Sequence, residues 1–261
     1  MFTERALDGE LAAVRDAYAP DAVVLDCDAD FETLSPEHRD DVLPVIDDLT
    51  PHEYDTDWLP ADSPALLTQL ATREFVVGMP GDGAVAWTTQ TEPPVVFVKA
   101  RIEGTPSEFA DFLVAEALVA AGLGLPERFL GLFGSAYPAF AAAVDGDPVA
   151  VYQTAAAAAT AFRGLHTRPE FETWDADFPR LYDAWVDAGE RIRPRLDGLS
   201  GELARGTTSF ADAAELACSA VKHDVDVPTP FAALDSPAFR RHGSEYAVTW
   251  AEKLFAADTD A

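Results

Sequence analysis

The 261-residue chain carries 46 Asp and Glu against 18 Lys and Arg, a formal net charge of -28. Its 48% hydrophobic and 10% aromatic share is enough to offset the entropy of ordering, which excludes disorder as the reason for the acidity. No basic stripe is available to replace the counterions of a nucleic acid, and the longest apolar-looking tract, 109–144, is interrupted by Asp111, Glu116, Glu127 and Arg128, so neither a nucleic-acid partner nor a membrane span is expected.

In chain order, Leu7, Leu11 and Val14 share a helical spacing that predicts a first helix over 3–18, ending before Pro20. Glu4, Asp8 and Glu10 near the N-terminus argue against a signal peptide. A short apolar run follows at Ala22 to Asp26. Ser35-Pro36-Glu37 reads as a helix start, with Ser35 as N-cap and Pro36 at the first helical position, for a helix running toward Leu49. Ser63-Pro64 repeats that signal for a helix to about Arg73. The strand signals are Glu74 to Met79, Ala84 to Gln90 and Val95 to Ile102, joined by the Pro80-Gly81-Asp82-Gly83 turn and by Pro93-Pro94. They predict a three-stranded antiparallel meander. Helices are predicted over 106–121, 126–143, 148–164, 178–195, 209–223 and 237–257. The fold class is therefore α+β and mainly helical, with the small meander packed against a helical layer that buries its apolar side. One domain over 1–257 is expected, with a sub-boundary near 104 between a mixed part (1–104) and a helical part (105–257). Ala155 to Ala159 suit a close helix contact.

Cys27 and Cys218 are far apart and follow no metal or redox spacing, so they read as buried thiols in a reducing compartment. Lysine occurs only at Lys99, Lys222 and Lys253, the other basic residues are arginine, and asparagine is absent. That pattern points to a cytoplasm that accumulates salt, where carboxylate repulsion is screened. The composition predicts that the chain loses compactness as salt falls below the molar range; native-like circular dichroism in dilute buffer would contradict this. A cationic partner or a nucleic-acid mimic is the other reading of the charge.

Four constellations carry possible chemistry. Val23-Val24-Leu25-Asp26-Cys27-Asp28 resembles the first motif of haloacid-dehalogenase-type phosphatases, which implies Asp26 as nucleophile and Asp28 as acid/base around Mg²⁺. That family needs a parallel sheet, whereas the strands predicted here are antiparallel, and Asp30 departs from its pattern. Asp26, Asp28, Asp30 and Glu37 also match a calcium-loop spacing, but Phe31 stands where that loop needs glycine, so chance in an acidic chain explains it better. Asp212, Ser219 and His223 on one side of a helix, the last two four apart, lack the elbow and oxyanion loop of a serine hydrolase and read as a solvated face. Glu116 falls on the stripe of Phe109, Phe112, Leu113, Ala117 and Ala120. A carboxylate placed there needs a partner, and Lys99, Arg101 or Arg128 are the candidates. The functional version is a ligand-binding set of Glu116, Lys99 and Arg101 between sheet and helices. The remaining histidines, His38, His52, His166 and His242, show no ligand spacing, and helix ends account for His166 and His242. No cofactor and no metal site are expected.

As a set, Phe2-Thr3-Glu4-Arg5-Ala6-Leu7, Val77-Gly78-Met79-Pro80-Gly81-Asp82-Gly83, Ala184-Trp185-Val186-Asp187-Ala188-Gly189-Glu190-Arg191 and Ala214-Glu215-Leu216-Ala217-Cys218-Ser219-Ala220-Val221-Lys222-His223 resemble an uncharacterised haloarchaeal protein family, a domain of unknown function. The resemblance implies source and whole-chain unity and carries no catalytic residue. The expected role is a cytoplasmic, non-enzymatic ligand-binding or protein-interaction module. The alternative is a Mg-dependent phosphohydrolase using Asp26 and Asp28.

Overall fold

The structure is a computed structural model and describes residues 2–34, 38–54, 57–59, 63–71 and 74–256. Its strands are β1 (Phe2–Glu4), β2 (Val23–Cys27), β3 (Asp48–Leu49), β4 (Val85–Thr88), β5 (Thr91–Glu92) and β6 (Val95–Val98). Its helices are α1 (Gly9–Tyr18), α2 (Arg39–Val42), α3 (Ala65–Ala71), α4 (Ser107–Gly122), α5 (Phe129–Phe133), α6 (Tyr137–Ala143), α7 (Pro148–Phe171), α8 (Trp174–Asp177), α9 (Pro179–Asp197), α10 (Leu199–Arg205), α11 (Phe210–Ala220) and α12 (Pro237–Ala256). The chain divides into two compact units. The first comprises Met1–Tyr54, Ala65–Glu127 and Thr173–Trp185; the second comprises Asp55–Pro64, Arg128–Glu172 and Val186–Ala261.

The first unit holds the sheets. The larger is four-stranded, in the order β1-β2-β6-β4. Strands β4 and β6 pair antiparallel as the sequence predicts, but β2 pairs parallel with β6, Val23 opposite Val95 and Asp26 opposite Val98. The sheet is therefore mixed, which corrects the antiparallel meander. Two features explain the difference. β6 is buried on both faces, so it needs a neighbour on each side, and the apolar run from Val23 supplies the second. Glu74 to Met79 forms no strand: Val77 makes an isolated bridge with Leu34, Gln90 Nε2 donates to the Val76 carbonyl at 2.8 Å, and Gly78 turns the chain at φ 77°. Phe2–Glu4, expected at the start of the first helix, is instead the antiparallel edge strand on β2.

One face of this sheet carries Leu25, Cys27, Ala86, Val95 and Phe97, closed by Leu34, Val42, Phe75 and Val77. α4 packs against β4 and β6, and α1 packs on α4, which is the helical layer the sheet needs. Glu10 on α1 accepts from the backbone N–H groups of Arg180 and Leu181 at 3.2 and 3.0 Å, so a carboxylate caps the positive end of α9. The helix start predicted at Ser35-Pro36-Glu37 lies outside the described residues. Beyond it the chain forms only α2 and a 3-10 turn over Leu43–Val45 before β3 pairs with β5.

In the second unit α7 packs on α11 through small residues: Ala155, Ala158, Ala159 and Ala161 on one helix and Ala213, Ala214, Ala217 and Ala220 on the other are buried. The alanine run is a close helix contact, as its composition suggested. The helix expected over 126–143 is interrupted by a 3-10 turn at Gly134–Ala136. α12 kinks at Gly243 (φ 48°), where an added Cβ would come within 3.3 Å of Leu132. Such a positive φ favours glycine.

His166 is not at a helix end but within α7. Its Nε2 is buried without a hydrogen-bond partner, and burial, with Arg240 nearby, depresses its pKa below 6.5 despite a hydrogen bond with the Arg240 backbone. The unfolded chain then binds a proton that the native ring resists, so this residue's contribution is complete above about pH 6.5 and is lost as pH falls below it. We expect the midpoint of denaturation to fall between pH 6.5 and the acid side more steeply in the native chain than in His166→Gln, measured at fixed salt. Equal slopes would contradict this.

Candidate functional site

The parallel strands β2 and β6 end side by side, and the residues that leave their carboxyl ends form a polar cluster of the first unit. Ligand sites of open α/β sheets favour the crevice beyond the carboxyl ends of parallel strands. From β2 comes the loop Asp28-Ala29-Asp30-Phe31-Glu32. From β6 come Lys99, whose backbone N–H extends the β4–β6 ladder to Ala84 O at 2.8 Å, and Arg101 in a 3-10 turn over Ala100–Ile102.

Arg101 clamps this loop to the turn at Pro80-Gly81-Asp82-Gly83. Its Nε donates to Asp30 Oδ1 and Oδ2 at 2.7 and 2.8 Å, and its Nη2 to Glu32 Oε1 at 2.6 Å and Phe31 O at 3.1 Å. Nη1 donates to Asp82 O at 3.2 Å. These bonds hold the carboxyls of Asp30 and Glu32 below their ordinary range and push the guanidinium up. The turn is tied down on its other side: Asp82 Oδ2 accepts from Met79 N at 2.8 Å, and Glu32 Oε2 from Gly81 N at 3.2 Å. Gly78 is required here, because a Cβ would stand 2.6 Å from Glu32 O.

Lys99 differs from its neighbours. It is 0% exposed, and Nζ makes no hydrogen bond. Nζ lies 4.9 Å from the centroid of the Phe31 ring, which stacks edge-on against Phe97. Desolvation, the largest influence, lowers the Lys99 pKa; Asp82, Glu32 and Asp30 act against that shift and Arg101 adds to it. A cation–π contact offsets only part of the cost of taking an ammonium out of water.

The structure thus brings Lys99 and Arg101 together but not Glu116 with them. Half of the residues of α4 are buried, including Val114, Ala115, Leu118 and Val119, and Glu116 lies with Phe109 and Leu113 among its half-buried positions. The hydrogen bonds of Arg101 go to Asp30, Glu32, Phe31 and Asp82, and Lys99 Nζ makes none, so neither cation bonds Glu116. Asp26 is held by Arg5 across the β1–β2 pair, Oδ1 accepting from Nε at 2.9 Å and Nη2 at 2.5 Å, while Asp28 is exposed. No group of three or more His, Cys, Asp or Glu among the described residues is placed to hold a metal ion. Nothing in this arrangement supports the phosphohydrolase reading. Glu37 of the calcium-loop spacing lies outside the described residues. Ser219 Oγ donates back to the Leu216 carbonyl at 2.8 Å, as expected of a hydroxyl on a helix face. Cys27 and Cys218 are free and buried, and burial, followed by the charge of Asp26, pushes the Cys27 thiol up to about 12.

A second polar cluster of the first unit went unread in the sequence. Glu127, its side chain 4% exposed, accepts through Oε1 from Thr88 Oγ1, Thr89 N and Thr89 Oγ1 at 2.9, 2.5 and 3.1 Å, and through Oε2 from Gln90 Nε2 at 3.1 Å. His52 Nε2 lies 3.0 Å from Oε1, and the His52 backbone N–H donates to Gln90 Oε1 at 3.2 Å. The carboxylate fixes the β4–β5 turn and the segment that follows β3. The available signal was three consecutive polar residues, Thr88-Thr89-Gln90, at the end of an apolar strand.

Residues 1–258 match a protein family described as a family of unknown function (DUF7089). The chain belongs to this family. The match to DUF7089 covers both units and both polar clusters, in keeping with the whole-chain unity that the sequence resemblance implied. No curated protein and no solved structure matches the chain. No helix among the described residues is long and apolar enough to cross a membrane.

Proposed function

We propose that this DUF7089 protein is a small-molecule binding module of a salt-accumulating haloarchaeal cytoplasm, one α+β domain whose ligand site is the Lys99–Arg101 cluster beyond β2 and β6. The observation that carries the reading is Lys99: a fully buried amine with no hydrogen-bond partner, beside an Arg101 whose guanidinium is already bonded to Asp30 and Glu32. A buried charge without a bonded partner opposes folding, so a residue kept in that state is better explained by what it binds. Arg101 serves the site by holding the Asp30–Glu32 loop and the Asp82 turn at the mouth, and Phe31 covers the amine. Arg101 is saturated by carboxylates and the chain is strongly negative, which favours an uncharged ligand that brings an acceptor oxygen to Nζ. The test is thermal denaturation in molar KCl with a panel of small alcohols, aldehydes, ketones and amides. A compound that binds raises the melting temperature of the native chain, and the rise disappears in Lys99→Met. Equal shifts in both chains would place the ligand elsewhere.

A further inference from the structure

We propose that Lys99 captures its ligand covalently and reversibly, its Nζ forming an imine with the carbonyl carbon of a small uncharged aldehyde or ketone that enters when the Phe31 ring swings aside. The inference rests on the binding reading above and adds the ligand's reactive group. Its geometry is that of an amine kept dry: Nζ has no hydrogen bond, the side chain is 0% exposed, and the cover is a half-buried aromatic ring on a surface loop. An amine nucleophile works only when unprotonated, and proteins reach that state by desolvating a lysine or by placing another cation beside it. The first condition holds here, and Arg101 supplies a neighbouring cation, against the opposing charges of Asp82, Glu32 and Asp30. Burial is the largest influence lowering the Lys99 pKa, and Arg101 adds to it.

In the reaction the nitrogen lone pair forms a C–N bond to the carbonyl carbon while the C=O π pair moves to oxygen. That oxygen takes a proton as the nitrogen loses one, which gives a carbinolamine. The hydroxyl then leaves as water with a further proton while the nitrogen lone pair closes the C=N bond. The sum is amine plus carbonyl giving imine plus water, with no oxidant or reductant. The dry surroundings of Nζ favour the imine over its hydrolysis.

The chain has three lysines, so the test has internal controls. The full chain in molar KCl near neutral pH is treated with propanal and cyanoborohydride, which reduces an iminium to a stable secondary amine, and the propylated lysines are found by peptide mapping. At neutral pH an ordinary lysine is unprotonated in well under about 0.1% of molecules, and each unit by which its pKa falls raises that share about tenfold. Lys99 is therefore expected to be propylated faster than exposed Lys253, and faster again in Phe31→Ala, where the cover is gone. Faster labelling of Lys99 in Phe31→Ala alone also supports the proposal, with the ring as the closure. Labelling no faster than at Lys253 in both chains overturns it. If propanal then still raises the melting temperature only where Lys99 is present, the binding site stands without the covalent step; if it does not, neither reading is supported.

Discussion

Replacing Glu127 by alanine is expected to destabilise the first unit by about 2–5 kcal/mol, the range for stripping a buried carboxylate from the donors it satisfies. Five side-chain or backbone donors converge on its two oxygens, from Thr88, both groups of Thr89, Gln90 and His52. Gln90 is itself buried, and its amide joins the cluster to Val76 O and to the His52 backbone, so the loss spreads from the β4–β5 turn to the chain after β3. Glu127→Gln should cost less but not nothing. It keeps one acceptor oxygen for the threonines, but its new N–H₂ faces the donor of Gln90, so either that contact is lost or Gln90 turns its amide and forfeits its bonds with both Val76 and His52. Denaturant titration in molar KCl measures both variants. A loss below about 1 kcal/mol for Glu127→Ala, within the range of an ordinary surface change, would show that the converging bonds add little.

The sequence made local periodicity legible, and the helical layer followed from it. α4, α7, α9, α11 and α12 lie close to the predicted spans because each carries its own start signal or apolar stripe; Ser209, for example, accepts from Asp212 N as the N-cap of α11. The antiparallel β4–β6 pair was legible for the same reason, since its two strands are neighbours in sequence. The parallel partner was not. Val23 to Cys27 meets β6 across a gap of about seventy residues, and nothing local in a five-residue apolar run states which strand it joins or in which direction. Among the site residues, Lys99 and Arg101 were reached as candidate partners for Glu116. Glu32 and Asp82 were not reached, and Asp30 was noted only in a chance acidic spacing: they are three among 46 acidic residues, and their selection depends on the tertiary meeting of a loop and a turn. Glu116 was legible only as a carboxylate on an otherwise apolar stripe, and which cation it meets depends on tertiary packing that the stripe does not state.

Lys99→Met is expected to raise stability. The native ammonium is removed from water and receives in return one aromatic face at 4.9 Å and the field of Asp82 and of two carboxylates already committed to Arg101. Methionine keeps the length and the apolar stem, which fits a site lined by Phe31 and Phe97, and removes the group that must be desolvated. Exchanging a buried ion for a well-packed apolar residue stabilises other proteins by about 1–4 kcal/mol, and a gain in that range is expected here. The sign follows from the direction of the lysine's titration. Its native pKa lies below 10.5, so between the two values the unfolded chain binds the extra proton and native stability rises with pH. That rise should flatten in Lys99→Met.

Whether Lys99 is kept for a ligand or for the fold is decided by the midpoint of denaturation of the ligand-free Lys99→Met chain beside that of the native chain, in molar KCl at neutral pH. A higher midpoint for the variant is the result expected of an amine held against the interest of the fold. A midpoint lowered by more than about 1 kcal/mol of stability would mean that the ammonium binds the Asp30–Glu32 loop and the Asp82 turn together, and the site would be a structural ion cluster.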